Sequence, residues 1–451
     1  MPLKPIPVVD LFAGPGGLSE GFSRLKDASG NRAFDVRVSI EKDQNASETL
    51  KLRAFFRSFQ GKVPDCYYDY LRGKITKEEL VANGLVKEEW RRAEHEAHRA
   101  TLGETPSDII DKWIFDAIGK HEPWILIGGP PCQAYSLVGR SRRRSADPVA
   151  FEQDERHFLY REYLRIIRKF KPALFVMENV KGMLSSVHGG SLIFDRIFDD
   201  LSRPEVGLEY DIRSFVNHSE NQKPKDFIIE AERYGIPQKR HRVILFGVRS
   251  DYATKNRRHR LLIQRDQSVT VREAISSMPK LRSRLSIKST KPDSLKNWLD
   301  VISKTPKFLK DWKDPRRSDV ISLMTDVIRQ TKLTEYNTGS RFFSDLEWVD
   351  NNMPIEINHL IKDTRLQGIC QHETTSHMPS DLHRYLFAAC YAGIYKNSPN
   401  LGQYPLTLWP EHKNVNTNEV PFNDRFRVQC WGFPSTTVVS HIAKDGRYQF
   451  L

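Results

Sequence analysis

Residues 7–17 read Pro7-Val8-Val9-Asp10-Leu11-Phe12-Ala13-Gly14-Pro15-Gly16-Gly17. Pro7 to Phe12 is a short, mostly apolar run of the kind that forms a buried strand. Ala13 to Gly17 breaks the run, and Leu18 to Leu25 reads as a helix. A strand, a glycine-rich turn and a helix in succession open an α/β unit. The pattern recurs outward from there. Phe34 to Glu41 is a second strand and ends in an acid, and Trp124 to Gly128 is a third, running into Gly129-Pro130-Pro131-Cys132. Ala173 to Met177 is a fourth strand, followed by Glu178-Asn179. Val243 to Val248 is another, preceded by Gln238-Lys239-Arg240-His241-Arg242. Phe158 to Phe170 has helical periodicity. Residues 45–118 read as a charged, mostly helical insert with Trp90 and Trp113 as packing anchors. Short strands alternating with helices predict a doubly wound α/β sheet, which binds ligands at the carboxyl ends of its strands.

Charge divides the chain. Its 451 residues hold 70 Lys or Arg against 57 Asp or Glu, a net of +13. Residues 250–320 alone hold 18 against 8. Such a segment points to a polyanionic partner. Strand signals thin out at the same place, which sets an expected boundary near 250, between regions 1–249 and 250–451. No run approaches the 18 or so apolar residues of a membrane-spanning helix, so a membrane is not an expected partner. Met1-Pro2-Leu3-Lys4-Pro5-Ile6-Pro7 lacks the apolar core of a secretory leader. Five cysteines (Cys66, Cys132, Cys370, Cys390 and Cys430) include no C-x-x-C pair, so neither a disulfide framework nor a zinc site is supported.

Gly14, Gly16 and Gly17 let the backbone approach a ligand and take positive φ. Their spacing is neither G-x-G-x-x-G nor that of a phosphate-cradling loop. Glu41 stands where α/β nucleotide folds place an acid against ribose hydroxyls. Together they suggest an adenosine-containing cofactor; alone, the turn is a tight connection and Glu41 a solvated acid. Cys132 follows a buried strand in a Pro-restricted loop, with Arg140, Arg142, Arg143 and Arg144 close behind. Positive surroundings favour the thiolate, which is the nucleophilic form. The other four cysteines read as inert. Glu178, at a strand end, can hydrogen-bond or protonate a substrate nitrogen if burial raises its pKa. The Asn179 amide can orient backbone or substrate. Gln238, Arg240 and Arg242 alternate, so on one strand they share a face. Two guanidiniums there suit a phosphate or a carbonyl oxygen that gains negative charge.

In this order the segments Asp10 to Gly17, Glu41, Gly129 to Ser136, Asp154-Glu155-Arg156 to Leu159, Glu178-Asn179-Val180 and Gln238-x-Arg240-x-Arg242 resemble the DNA cytosine methyltransferases that modify carbon 5. The resemblance is strong over residues 7–249 and looser over Phe426 to Phe450. It implies an α/β fold: a Rossmann-like, S-adenosylmethionine-dependent methyltransferase sheet on 1–249, and a basic, mixed target-recognition region on 250–451. It implies S-adenosylmethionine bound by Asp10, Phe12, Ala13, Gly14, Gly16, Gly17, Leu18, Glu41 and Pro130. Phe12 would stack on the adenine, Gly14 to Leu18 would line the methionine and ribose, and Glu41 would hold the ribose. An acid for the adenine amino group belongs between Glu41 and Cys132, where Thr101-Leu102-Gly103 and Asp108 are candidates. The implied catalytic set is Cys132, Glu178, Asn179, Arg240 and Arg242. Cys132 would attack carbon 6, Glu178 would serve ring nitrogen 3, and Arg242 would hold the base carbonyl or backbone. Arg240 would support the base, the Cys132 loop or a phosphate. The target base must leave the duplex stack to be reached, and Ala134 to Arg144 would close over the DNA.

Members of that family continue with R-E-A-x-R-L-Q-x-F-P and G-N-[AS]-V elements. Val271-Arg272-Glu273-Ala274-Ile275 echoes the first without its continuation, and the chain stops at Leu451 where they would begin. Either the chain is a truncated product or a second polypeptide supplies those elements, so the expected partners are duplex DNA, such a second polypeptide and a cognate restriction endonuclease. The expected setting is the nucleoid in a prokaryotic cytoplasm. Two other readings are an RNA cytosine methyltransferase of similar fold and an inactive or partner-dependent DNA-binding subunit.

Overall fold

The strand expected at residues 7–12 forms as β1 (Ile6–Leu11), in the middle of a sheet, and the turn leads into α1 (Gly17–Arg24). The computed structural model describes residues 4–59, 61–131, 159–188, 191–219, 221–253, 259–287, 289–344, 353–410, 426–437 and 448–449. The chain divides into two compact units. The first comprises Met1–Tyr67, Thr76–Glu230 and His241–Ile263, and the second Tyr68–Ile75, Ala231–Arg240 and Gln264–Leu451.

In the first unit, β2 (Phe34–Glu41) is followed by α2 (Gln44–Ser58), α3 (Lys87–Glu96), β3 (Ala97–Arg99) and α4 (Ser107–Ile118). Then come β4 (Ile125–Gly128), α5 (Leu159–Phe170), β5 (Leu174–Val180), α6 (Ile193–Ser202), β6 (Tyr210–Arg213), β7 (Ile228–Glu230) and β8 (His241–Arg249). The sheet order is β3-β2-β1-β4-β5-β8-β6, with β7 also paired to β8. β1 to β5 are mutually parallel, whereas β8 runs antiparallel to β5, β6 and β7. The strand order reverses between β1 and β4, and such a reversal opens a crevice beyond the carboxyl ends.

Alternation along β1 explains the layers. Val8 joins Val36, Ile125, Ile127 and Val176 on one face, where Leu18 and Phe22 of α1 pack. Val9 and Leu11 face the opposite way, into a larger core with Ile110 and Ile114 of α4 and Tyr163 of α5. Helices therefore cover both faces, which is why the central strands β1, β4 and β5 are mostly apolar. Gly128 permits the β1–β4 approach: a Cβ there would lie 2.6 Å from Leu11 O. In the insert, Trp90 is buried with its ring 5.3 Å from Phe55, and Trp113 stacks on His98 at 4.0 Å.

The first unit runs to Ile263, past the expected boundary. Leu262 N donates to Phe215 O at 2.8 Å, and His259 Nε2 lies 2.6 Å from Ser214 O. Tyr68–Ile75 falls to the second unit, where Tyr68 Oη donates to Asp363 at 3.0 Å and Arg72 Nη2 to Arg365 O at 2.7 Å.

The second unit has its own core beneath α7 (Leu295–Ile302), α8 (Arg317–Lys332), an antiparallel pair of β9 (Gly339–Ser344) with β10 (Gly368–Glu373), and α9 (Pro379–Tyr395). Met324, Tyr385, Phe387 and Tyr404 are at its centre. No described helix is long and apolar enough to cross a membrane.

Candidate active site

Four strand ends, of β1, β2, β4 and β5, build the crevice of the first unit. At the end of β1, Phe12 takes φ 55°, a conformation uncommon for a bulky residue. Its ring is half-buried against the larger core. Ala13 N then donates to Ile40 O at 3.0 Å, Gly14 N to Glu41 Oε2 at 2.8 Å, and Gly16 N to Ala13 O at 3.0 Å. Gly16 sits at φ 87°, and a Cβ on it would meet Leu50 Cδ1 at 2.9 Å, so any other residue is strained there. α1 begins at Gly17 with no side-chain cap, and Leu18 is half-buried in its first turn.

Glu41, at the end of β2, is tied into this turn. Its second oxygen accepts from Asp43 N at 2.7 Å. Each oxygen takes one backbone N–H, which leaves lone pairs for a further donor. The carboxylate is thus held before any ligand arrives.

At the end of β4, Gly129 passes so close to Glu178 that a Cβ would lie 3.0 Å from Oε2. Pro130 is buried, and its carbonyl accepts from Asn179 Nδ2 at 3.4 Å. Asn179 Oδ1 accepts from Val180 N at 2.7 Å. Of the two expected roles for Asn179, the amide is engaged with backbone. Cys132, Arg140, Arg142, Arg143 and Arg144, the segment Asp154-Glu155-Arg156, and the loop Ala134 to Arg144 lie outside the described residues, which resume at Leu159.

Glu178 is near the end of β5, and its register partner on β8 is Ile244. Arg242 lies two residues from Ile244 along β8, so it shares the face of Glu178. Arg242 Nε donates to Glu178 Oε1 at 2.6 Å, with the two side chains 20% and 22% exposed. That pair is partly shielded from water. Arg242 Nη1 donates to His241 O at 2.8 Å, which fixes the guanidinium further.

Two expectations change here. Gln238, Arg240 and Arg242 do not lie on one strand. Gln238 and Lys239 pair with Ser435 and Thr436, Arg240 N turns back to Gln238 O at 2.9 Å, and β8 starts only at His241. Arg240 is exposed and lies outside β8, whereas Arg242 is on β8 and pairs with Glu178. Asp10, expected among the cofactor-binding residues, is wholly buried and presents nothing to the crevice. Neither of its oxygens has a hydrogen-bond partner among the described residues. Burial pushes its pKa up to about 7, which Ser19 and Arg57 offset only in part.

The sequence reading did not find the buried ion network that backs this turn. Arg57 of α2 pairs with Glu20 of α1 at 3.4 Å and with Glu96 of α3. Burial also pushes Glu96 upward, to about 7, against the pull of Arg57. The partners are far apart in sequence, so no local pattern announces them. The candidates for an adenine-contacting group separate: Ala100 N donates to Glu41 O at 3.1 Å, so Thr101-Leu102-Gly103 follows β3 at the crevice edge. Asp108 is exposed at the start of α4.

Residues 77–440 match the family described as C-5 cytosine-specific DNA methylase. A type II methyltransferase of Bacillus paralicheniformis is 28% identical over 460 residues, covering 98% of this chain and 85% of its own. A type II methyltransferase of a Picosynechococcus species is 29% identical over 246 residues, covering 54% of this chain and 71% of its own.

Proposed function

Because the chain belongs to the C-5 cytosine-specific DNA methylase family, we propose that it transfers a methyl group from S-adenosylmethionine to carbon 5 of a flipped-out cytosine in a specific duplex sequence. The observation that carries this reading is the convergence of Gly129-Pro130-Pro131, which leads directly to Cys132, on a Glu178 carboxylate held by Arg242 at 2.6 Å.

The crevice suits the donor. Phe12 offers a ring face to the adenine, and Glu41 keeps lone pairs for the ribose hydroxyls. The uncapped N–H groups at the start of α1 suit a carboxylate. When bound, S-adenosylmethionine supplies an electrophilic methyl group. Asp10 acts from beneath this turn rather than on the ligand.

The chain's own residues then have defined tasks. The Cys132 thiolate bonds to carbon 6 of the cytosine, and the electron pair displaced from the 5,6 double bond makes carbon 5 nucleophilic. Glu178 holds a proton at ring nitrogen 3, which relieves the charge that would otherwise build there. Arg242 keeps the Glu178 carboxyl in place, and Asn179 fixes the Pro130 carbonyl beside it. After methylation, loss of the carbon 5 proton and expulsion of Cys132 restore the ring. A stacked base is out of reach, so the cytosine is flipped out. Residues 250–451 serve as the target-recognition region and Arg240 as a support for DNA or the Cys132 loop. The catalytic region comprises residues 1–249.

The relatives are named type II methyltransferases. They support a place as the modifying arm of a restriction–modification system, with a cognate endonuclease as partner, acting on DNA in a bacterial cytoplasm. Bisulfite sequencing of host DNA with and without the gene tests the reading. Protected cytosines in one recurring sequence are expected, and their absence would overturn it.

A further inference from the structure

Trp431-Gly432-Phe433 forms the tip of a turn in the second unit. The turn closes with Phe433 N on Cys430 O at 3.2 Å. Its backbone is pinned on two sides. Val271 N donates to Phe433 O at 2.9 Å and Arg272 N to Trp431 O at 3.1 Å, while Ser435 N donates to Pro237 O at 2.9 Å. Gln238 and Lys239 pair with Ser435 and Thr436, and the Gln429 amide brackets Thr436 through Oε1 and Nε2. Thr437 Oγ1 donates to Lys239 O at 2.7 Å.

All this framing presents a phenylalanine to water: Phe433 is 46% exposed. Lys239 Nζ lies 5.8 Å from the centre of the Phe433 ring, and Arg272 Cζ lies 5.6 Å from that of Trp431. Both cations are exposed, and neither makes an ion pair among the described residues. A cation resting on an aromatic face is held in place with its charge still available. Two such cations flanking a rigid apolar tip match the chemistry of a duplex, which offers phosphates on either side of an apolar stack of bases. Arg272 also belongs to the segment with 18 basic against 8 acidic residues, so the surroundings favour an anion.

We propose that this turn is a DNA-contacting element, in which Lys239 and Arg272 each neutralise a phosphate and Phe433 packs between them against the bases. The assignment rests on duplex DNA being the substrate. The test is fluorescence anisotropy with the full chain and a labelled duplex, between about 50 and 200 mM salt. Lys239→Ala and Arg272→Ala should each flatten the plot of log affinity against log salt by about 0.9. Phe433→Ala should weaken binding about tenfold with the slope unchanged, because stacking carries no counterion. Lys239→Arg should restore the slope, which separates lost charge from a disturbed fold. Unchanged affinity and slope in all three alanine variants, while the parent protein binds and methylates DNA, would overturn the turn alone. A parent protein that fails to bind duplex DNA would overturn the proposed function, and this assignment with it.

Discussion

In and behind the crevice of the first unit, charge is withdrawn from water. Asp10 is wholly buried, Arg57 is locked between Glu20 and Glu96, and Glu178 is paired to Arg242. At the Trp431–Phe433 turn of the second unit, charge is set out on aromatic rings and left uncompensated. Both places are rigid, because backbone hydrogen bonds hold each turn. The difference teaches how binding and chemistry divide. A half-buried, pre-paired carboxylate can act on one proton at one atom, and its worth depends on position and protonation. An exposed cation acts through counterion release, and its worth depends on salt. The two regions should therefore respond to different variables.

The sharpest break comes at Cys132. Cys132→Ser should remove methylation entirely while duplex binding, read by anisotropy, stays close to that of the parent. Detectable turnover would show that the thiol is not the nucleophile. Next, Glu178→Gln should lower the single-turnover methylation rate by about 10²–10⁴-fold without changing the salt slope. A change in slope would erase the proposed division.

Protonation separates the regions further. The Asp10 carboxyl stays protonated to about pH 7 in the folded chain, against 3.8 for its ordinary value. The folded state thus holds a proton that the unfolded state has released between those values. The stability from this group is full below about pH 4 and is lost as pH rises towards 7, a span on the order of 4 kcal/mol. Asp10→Asn should flatten the pH dependence of the first unit's melting temperature over that window. An identical slope in parent and variant would contradict the assignment. Gly16→Ala should destabilise the first unit by about 1–3 kcal/mol, measured by denaturant, because the new Cβ meets Leu50 and the positive φ is strained. The smallest effect is expected at the second unit's surface. There Arg272→Ala should leave the pH profile of melting untouched, and only the salt slope should move.

The two regions also differed in how far they could be read beforehand. In the first unit, β1, β2, β4, β5 and β8 were legible, because buried strands need apolar runs and crevice turns need glycine, proline or an acid at their ends. β3, β6 and β7 were not, since three or four residues carry no period. Nor was the antiparallel course of β8, which alternation cannot reveal. Of the candidate site, Gly14, Glu41, Pro130, Glu178 and Arg242 emerge at one set of strand ends. The break in the strand run after Lys239 and the complete burial of Asp10 were not legible, because neither leaves a mark in residue type or spacing. The Arg57–Glu96 pair spans 39 residues and joins two helices, so nothing local marks it. In the second unit the basic segment was visible as composition. Its helical core and the pairing of Gln238 and Lys239 with Ser435 and Thr436 depend on contacts across nearly 200 residues.

The most direct test of the central claim uses a duplex carrying 5-fluorocytosine at the target base, with S-adenosylmethionine present. Fluorine in place of the carbon 5 proton blocks the final elimination, so a bond from Cys132 to carbon 6 would persist. The account predicts a denaturation-resistant protein–DNA adduct that maps to the peptide containing Cys132 and is absent in Cys132→Ser. An adduct that survives in Cys132→Ser, or maps to any other residue, would contradict it.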